Sequence, residues 1–208
     1  MFSSYDVVVE YDVRSGSPAA DVEDKIASLK EHISEVLRAI SFSKHWCTLT
    51  VTSRDEMKSI NNEYMGVDKA TDVLSFPYIQ SLEPEVLTEP EEIYGVDYAR
   101  VPDLAKSSLD LGQIYVCVES VIEYGRRGEY RADGYSIGCS AWIDKITSCP
   151  PSMLLKANND APRDQVELAI VKVLCVHAVL HLVGWDHGEE DGEGMREREE
   201  EILKIVMK

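Results

Sequence analysis

The chain has 208 residues, of which 44% are hydrophobic, and this is enough to bury a core within one domain. Its formal net charge of -17 argues against a protein that holds nucleic acid by bulk electrostatic attraction, because phosphate neutralisation needs clustered Lys and Arg. No apolar run reaches the length of a membrane span, so no membrane partner is expected, and the N-terminus lacks the pattern of a signal peptide.

The first third of the chain predicts strands and helices in alternation. The elements are a strand over 5–13, a helix over 17–40, a strand over 46–52 and a helix over 53–64. Pro18 suits the first turn of a helix, where its missing N–H has no partner in any case. Ser53 and Glu56 form a capping box, in which each residue can satisfy a free backbone N–H of the other.

The rest of the chain continues this alternation. It predicts strands over 73–76 and 111–118, a helix over 120–127, an apolar helix that includes 168–183, and a polar helix ending near 207. We therefore expect an α/β fold, with a small mixed β-sheet packed by helices, in a single domain over 1–208. The location expected is the bacterial cytoplasm, or an organelle if a transit peptide has been removed.

Two segments are too long to be ordinary connections and are predicted to be insertions, at about 78–110 and 128–163. The second combines apolar and basic residues, and packed decoration is the preferred interpretation over a flap or a partner surface. Negative charge is concentrated in 83–110 and in the tail over 189–201. Charge runs of this kind are usually solvated, so we expect both to lie at the surface.

Three of the five histidines fall within the eleven residues HAVLHLVGWDH. His177 and His181 are four apart, so on a helix they project from one face towards the same point. Gly184 lets the chain leave the helix and return His187 as a third ligand. Three imidazoles suit zinc or another borderline divalent ion, and they leave a coordination position open for water or substrate.

The alternative is a set of core histidines, because the helix that carries the first two is strongly amphipathic. A lone histidine on such a stripe is more often a hydrogen-bonded core residue than a ligand. Several imidazoles buried together without a common partner would be costly, so the metal site is the preferred interpretation.

The spacing of the histidines resembles that of the metzincin proteases, but these carry a glutamate general base directly after the first histidine. Here that position is Ala178, which argues against ordinary peptide hydrolysis. A zinc-bound water is already acidified towards neutral pH and can attack without a base at that position. Phosphodiester cleavage is therefore the better match.

Three stretches resemble the YbeY endoribonucleases, also called rRNA maturation factors: HAVLHLVGWDH, INNEYMGVDKATDVLSFP over 60–77, and LGQIYV over 111–116. The resemblance implies a single-strand-specific endoribonuclease that acts in ribosomal RNA maturation and ribosome quality control. It also implies one Zn²⁺ per chain, held by His177, His181 and His187 on a zincin-like helix. Expected partners are single-stranded or ribosomal RNA and a ribosomal subunit or ribosomal protein.

The same resemblance places Thr71, Asp72 and Ser75 at the border of the cleft. Asp72 or Asp186 could orient the catalytic water or a ligand imidazole, since carboxylates beside a metal site fix histidine orientation. Asp72 could equally be a turn cap before a strand. For Asp186 a supporting or turn role is preferred to direct proton transfer.

Two positions depart from the family pattern. Met65 stands where the family places an arginine thought to contact RNA, and Gln113 stands where it places an aspartate. Losing a guanidinium removes a bidentate phosphate donor that methionine cannot replace. Arg54, Lys58 and Lys69, or basic residues of the second insertion, could compensate, so RNA contact is predicted around this segment.

Three hypotheses follow from these residues. The first is a metal-dependent endoribonuclease. The second is a ribosome-assembly factor that keeps the metal site but cleaves RNA weakly or not at all. The third is a peptide metallohydrolase, which Ala178 disfavours.

Overall fold

The computed structural model describes residues 8–11, 19–78, 81–87, 109–120, 123, 163–187 and 193–207. Strands alternate with helices along these ranges. The strands are β1 (Val8–Tyr11), β2 (Trp46–Val51), β3 (Val73–Pro77), β4 (Ser81–Glu83), β5 (Val86–Leu87) and β6 (Asp110–Val116). The helices are α1 (Ala19–Ala39), α2 (Arg54–Met65), α3 (Arg163–Leu182) and α4 (Glu193–Val206). None of these helices is long and apolar enough to cross a membrane.

The main sheet has the strand order β1-β2-β6-β3. β1 and β6 both run parallel to β2, whereas β3 is antiparallel to β6. The sheet is therefore small and mixed, which confirms the predicted α/β class. β4 and β5 form a separate antiparallel pair.

Alternate residues of the strands point to two different faces of the sheet, as strand geometry requires. Ile114 and Val116 of β6 lie in the main core with α1, α3 and α4, where Leu49, Ile33 and Leu174 are also buried. Tyr115 of β6 points to the other face and packs against a smaller cluster that contains Met57 of α2. α2 and α3 thus cover opposite faces.

Gly112 is needed where β6 and β3 meet. A Cβ at this position would come within 2.1 Å of the carbonyl oxygen of Phe76, and the φ angle of 127° is one that residues with a Cβ rarely adopt. The glycine lets β3 pair closely along the edge of the sheet. In the resulting register Ser75 lies opposite Ile114, and Phe76 lies opposite Gln113.

Where both can be compared, the boundaries of the predicted elements agree with the structure within about two residues, and the strand predicted over 111–118 ends at Val116 because residues 118–120 are helical. The Ser53 side chain accepts the N–H of Glu56 at 3.3 Å and caps α2, as one half of the predicted capping box requires. The ends of the first predicted strand, the start of the first helix and most of 120–127 lie outside the described residues.

The two predicted insertions are described only in part. Within 78–110 the structure shows β4 and β5, which the sequence did not predict, whereas 128–162 lies outside the described residues. A single domain with insertions at about 78–110 and 128–163 stays a prediction.

Candidate metal centre

Helix α3 and the turn after it bring the three histidines together. The ring centroids of His177 and His181 are 4.5 Å apart, and His187 lies 5.1 Å and 5.0 Å from them. One nitrogen of each ring lies within 4.8 Å of the others. The spacing of four residues and the glycine turn therefore produce the convergence that the sequence predicted.

Gly184 ends α3 and turns the chain back. The φ angle of Gly184 is 93°. The N–H of Gly184 donates to the carbonyl of His181 at 3.2 Å, and the N–H of Trp185 donates to the carbonyl of Leu180 at 3.0 Å. This pair of bonds is the Schellman pattern that satisfies the last carbonyls of a helix. It places His187 beside the two helical histidines.

Glu199 of α4 orients the first histidine. Nδ1 of His177 forms a short hydrogen bond with a carboxylate oxygen of Glu199, and both side chains are buried, Glu199 to 1% exposure. A carboxylate accepts, so Nδ1 carries the proton and Nε2 keeps its lone pair. Contacts of this kind hold metal-binding histidines in one tautomer and one orientation.

A backbone carbonyl orients the second histidine. Nδ1 of His181 donates to the carbonyl of Trp185 at 2.8 Å, and Nε2 of His181 lies 3.0 Å from Nε2 of His177. Because both Nδ1 atoms are donors, the two Nε2 atoms face each other as acceptors. Two acceptors at this distance repel each other unless a cation or a proton lies between them.

The surroundings favour neutral imidazoles. Burial lowers the pKa of His181 to about 4, with a further contribution from His177 and partial opposition from the hydrogen bond to Trp185. Burial also lowers the pKa of His187, and His177 lowers it further. A neutral imidazole is the form that binds a metal ion, so these residues are ready to coordinate at neutral pH.

Sequence reasoning missed Glu199. The acidic tail over 189–201 was expected to be solvated, and this is wrong at Glu199, which is buried among apolar residues of α4. Its position carries a signal, because Met195, Ile202 and Leu203 lie at helical spacing from it and are also buried. A carboxylate on an apolar stripe needs a buried partner, and here the partner is His177.

The two predicted catalytic carboxylates make local contacts. Asp72 is 4% exposed, and its Oδ1 accepts from the Thr71 hydroxyl at 3.0 Å and from the Val73 N–H at 2.9 Å. This is the geometry of the turn-cap alternative. Asp186 is exposed and accepts the N–H of His187 at 2.7 Å, which is a turn contact. Their catalytic roles stay predictions.

The residues predicted to contact RNA lie on α2 and on the loop that follows it. Met65 is 62% exposed and Lys69 is exposed. Arg54 is ion-paired with Glu123, and Nζ of Lys58 lies 3.2 Å from a carboxylate oxygen of Asp68. Their contact with RNA stays a prediction.

The two departures from the family pattern are both on the side of the sheet covered by α2. Gln113 is partly buried, and its Oε1 accepts from the hydroxyl of Tyr115 at 2.9 Å. Tyr115 and Phe76 are in edge contact, and Phe76 in turn contacts Tyr64. Gln113 therefore belongs to this aromatic surface, whereas the histidines belong to α3 on the opposite face.

Comparisons with known proteins converge on one family. The sequence model described as Endoribonuclease YbeY matches residues 14–133 and 149–207. An Endoribonuclease YbeY of Clostridium botulinum (strain Alaska E43 / Type E3) is 32% identical over 160 residues, covering 76% of this chain and 74% of the relative. The same-named protein of the Loch Maree strain is 34% identical over 151 residues, covering 72% and 68%.

Among solved structures, the solution structure of TM1509 from Thermotoga maritima aligns with 96% of this chain and 89% of its own, at 18% identity and a TM-score of 0.43. The sequence matches are the stronger likeness, since the two relatives are 32% and 34% identical to the chain over more than two thirds of its length. The family model also spans both the histidine segment and the segment over 60–77.

Proposed function

The chain belongs to the endoribonuclease YbeY family, as its motifs predicted, and from this premise we propose a zinc-dependent endoribonuclease that cleaves single-stranded RNA. Its substrate is ribosomal RNA during maturation, and it serves ribosome quality control. The partners are a ribosomal subunit or a ribosomal protein. The location is the bacterial cytoplasm, or an organelle if a transit peptide has been removed.

One observation carries this proposal. The Nε2 atoms of His177 and His181 face each other at 3.0 Å while Glu199 and the Trp185 carbonyl hold the two Nδ1 atoms. Two imidazole nitrogens bound tetrahedrally to one zinc ion lie about 3.3 Å apart, given Zn–N bonds of about 2.0 Å. The donor set therefore fits one Zn²⁺ per chain with His187 as the third ligand.

The chemistry follows from three ligands and an open position. When bound, zinc supplies a water of lowered pKa and polarises a phosphoryl oxygen. Glu199 and Trp185 hold the first two imidazoles in the neutral, metal-facing tautomer. Ala178 is buried in the core beside His177, so no general base stands at the position that peptide hydrolysis would use. The helix is zincin-like only in its histidine spacing.

Two carboxylates are proposed to assist. Asp186 accepts the backbone N–H of His187 at 2.7 Å, so it is proposed to fix the turn that carries the third ligand. Asp72 is buried at the start of β3, the strand that α3 packs against. We propose that Asp72 orients the attacking water. The hydroxyl of Thr71 donates to its carboxylate and holds it in one rotamer.

RNA is proposed to cross the α2 surface and to pass the edge strand β3, against which α3 packs, to reach the metal centre. Arg54, Lys58 and Lys69 supply cations there, and Met65 lies exposed among them. Phosphate contacts from exposed cations hold single-stranded RNA without reading its sequence. The net charge of -17 makes this local group of cations the decisive attraction, and binding is expected to weaken steeply with salt.

A second candidate is a ribosome-assembly factor that keeps the metal and cleaves weakly or not at all. It is favoured by the absence of a guanidinium at Met65 and by the ion pairs that occupy Arg54 and Lys58. In that case the metal-loaded protein binds ribosomal subunits and leaves their RNA intact.

The deciding experiment combines elemental analysis with a cleavage assay on single-stranded ribosomal RNA, for the wild type and His181→Ala. We expect about one zinc per chain and cleavage in the wild type, and loss of both in the variant. His45→Gln is the matched control, because His45 lies outside the cluster. Zinc binding without cleavage in the wild type selects the assembly factor. Cleavage that survives in His181→Ala contradicts the proposal.

A further inference from the structure

The short hairpin of β4 and β5 is attached to the end of α3 through Glu85. The backbone N–H of Glu85 donates to the carbonyl of Val183 at 2.8 Å. Glu85 adopts a φ angle of 58°, a left-handed conformation that a residue with a Cβ keeps only when surrounding contacts hold it. The hairpin lies in the acidic segment that the sequence predicted to be a solvated insertion.

The side chain of Glu85 joins two parts of the metal centre. Its Oε1 accepts from Nε1 of Trp185 at 3.1 Å and from Nε of Arg198 at 2.6 Å, and its Oε2 accepts from Nη2 of Arg198 at 3.0 Å. The pair with Arg198 is therefore bidentate, and both side chains are largely withdrawn from solvent. Such forked pairs combine charge with a defined direction.

The two residues that Glu85 holds are directly connected to the acceptors of the helical histidines. Trp185 provides the carbonyl that accepts the hydrogen bond from Nδ1 of His181. Arg198 immediately precedes Glu199, the acceptor for His177, on α4. One carboxylate thus fixes the turn after α3 and the facing part of α4 relative to each other.

From these contacts we infer that Glu85 is a positioning residue of the metal centre: by tying Trp185 to Arg198 it sets the directions of both groups that aim His177 and His181 at one divalent ion. The inference rests on the proposed metal site. It extends that site to a residue more than ninety positions earlier in the sequence, in a segment that was predicted to be an insertion.

Loss of a group that orients a metal ligand lowers metal affinity by roughly 10- to 100-fold. Glu85 does not contact the histidines itself but acts through Trp185 and Arg198, so we expect a loss of affinity near the lower end of this range. Glu85→Gln keeps the size of the side chain and one acceptor oxygen but loses the charge and the forked pair with Arg198.

The test measures zinc affinity of the full chain by competition with a chromophoric chelator, together with the visible absorption of the Co²⁺-loaded protein. Glu201→Gln is the matched control, because Glu201 accepts from Nη1 of the same Arg198 at 3.0 Å but is exposed. We expect affinity to fall about tenfold and the cobalt bands to shift in Glu85→Gln. Glu201→Gln should stay within about twofold of the wild type.

A second variant protects the test against a folding defect. Trp185→Phe removes the indole N–H that Glu85 accepts, together with part of the ring, but keeps the backbone carbonyl, so a smaller loss of affinity in the same direction is expected. If both variants lower the melting temperature of the metal-free protein but leave zinc affinity and the cobalt spectrum unchanged, Glu85 is only structural and the inference is overturned. A wild type that binds no metal overturns the proposed site itself, which is a distinguishable result.

Discussion

Helix α3 meets buried histidines at two places, and the two are built differently. Near its middle, His32 of α1 is 2% exposed, and its Nε2 hydrogen-bonds the carbonyl of Lys172 at 2.8 Å. At its C-terminal end, His177 and His181 point their Nε2 atoms at each other and use Nδ1 for outside partners. The first is a core histidine, and the second group has the arrangement of a ligand set.

Burial alone therefore does not distinguish the two kinds of site. Burial lowers the pKa to about 4 in His32 and also in His181. The difference is where the second nitrogen points, since a ligand must present a free lone pair to a shared position. His32 matches the core-histidine alternative that the sequence left open for the cluster.

The largest expected effect comes from removing histidines of the cluster rather than the core histidine. In a His177→Ala, His181→Ala double variant two of three ligands are lost, so zinc affinity should fall by more than about a thousandfold and RNA cleavage should disappear. Chelator competition and a cleavage assay measure these two losses. His32→Gln is the matched control and should keep both properties. Unchanged zinc binding in the double variant would show that the cluster is not the site.

Removing the carboxylate behind the cluster should have the next largest effect. Glu199→Gln keeps an acceptor near Nδ1 of His177 but loses its charge, so zinc affinity should fall by about 10- to 100-fold. Glu200→Gln, one position along α4 and paired with Lys204, should leave affinity within about twofold. Equal affinities in the two variants would place Glu199 outside the metal centre.

Low pH should destabilise the protein through the core histidine, His32. The pKa of His32 is about 4 when folded and 6.5 when unfolded, so the unfolded chain binds the proton more readily and stability falls as pH drops through this window. In metal-free protein His32 should account for a loss of about 2 kcal/mol in the free energy of unfolding between pH 7 and 5.

Urea unfolding of the wild type and His32→Gln at both pH values measures this contribution. The part of the pH dependence that comes from His181 is common to the two proteins and cancels in their difference. If the free energy of unfolding changes with pH equally in the two proteins, the protonation of His32 is not coupled to folding.

The smallest expected effect lies away from both histidine sites. Met65→Arg restores a guanidinium on the exposed end of α2 and should strengthen binding to single-stranded RNA several-fold, with a salt dependence steeper by about one phosphate contact. Ile205→Arg adds the same charge at another exposed apolar position, on α4, and is the matched control. Fluorescence anisotropy at two salt concentrations measures both. Equal gains in the two variants would mean that only net charge matters.

Local pattern was sufficient for much of the fold. The start of α2 followed from the cap at Ser53, and β2 followed from the alternation of its residues, because these signals act over a few residues. The pairing of β4 with β5 was missed, since short strands in an acidic, proline-containing segment carry little periodic signal. Strand order was also beyond local pattern, because it depends on contacts between distant segments.

The sequence by itself determined that His177 and His181 share a face of a helix and that Gly184 can return His187, because backbone geometry sets these positions within a few residues. Tertiary structure alone decided which nitrogen of each ring faces the common point. The partners that decide it come from elsewhere: Glu199 is 22 residues from His177, and Glu85 is 113 residues from Arg198. Spacing places a ligand, whereas packing between distant elements orients it.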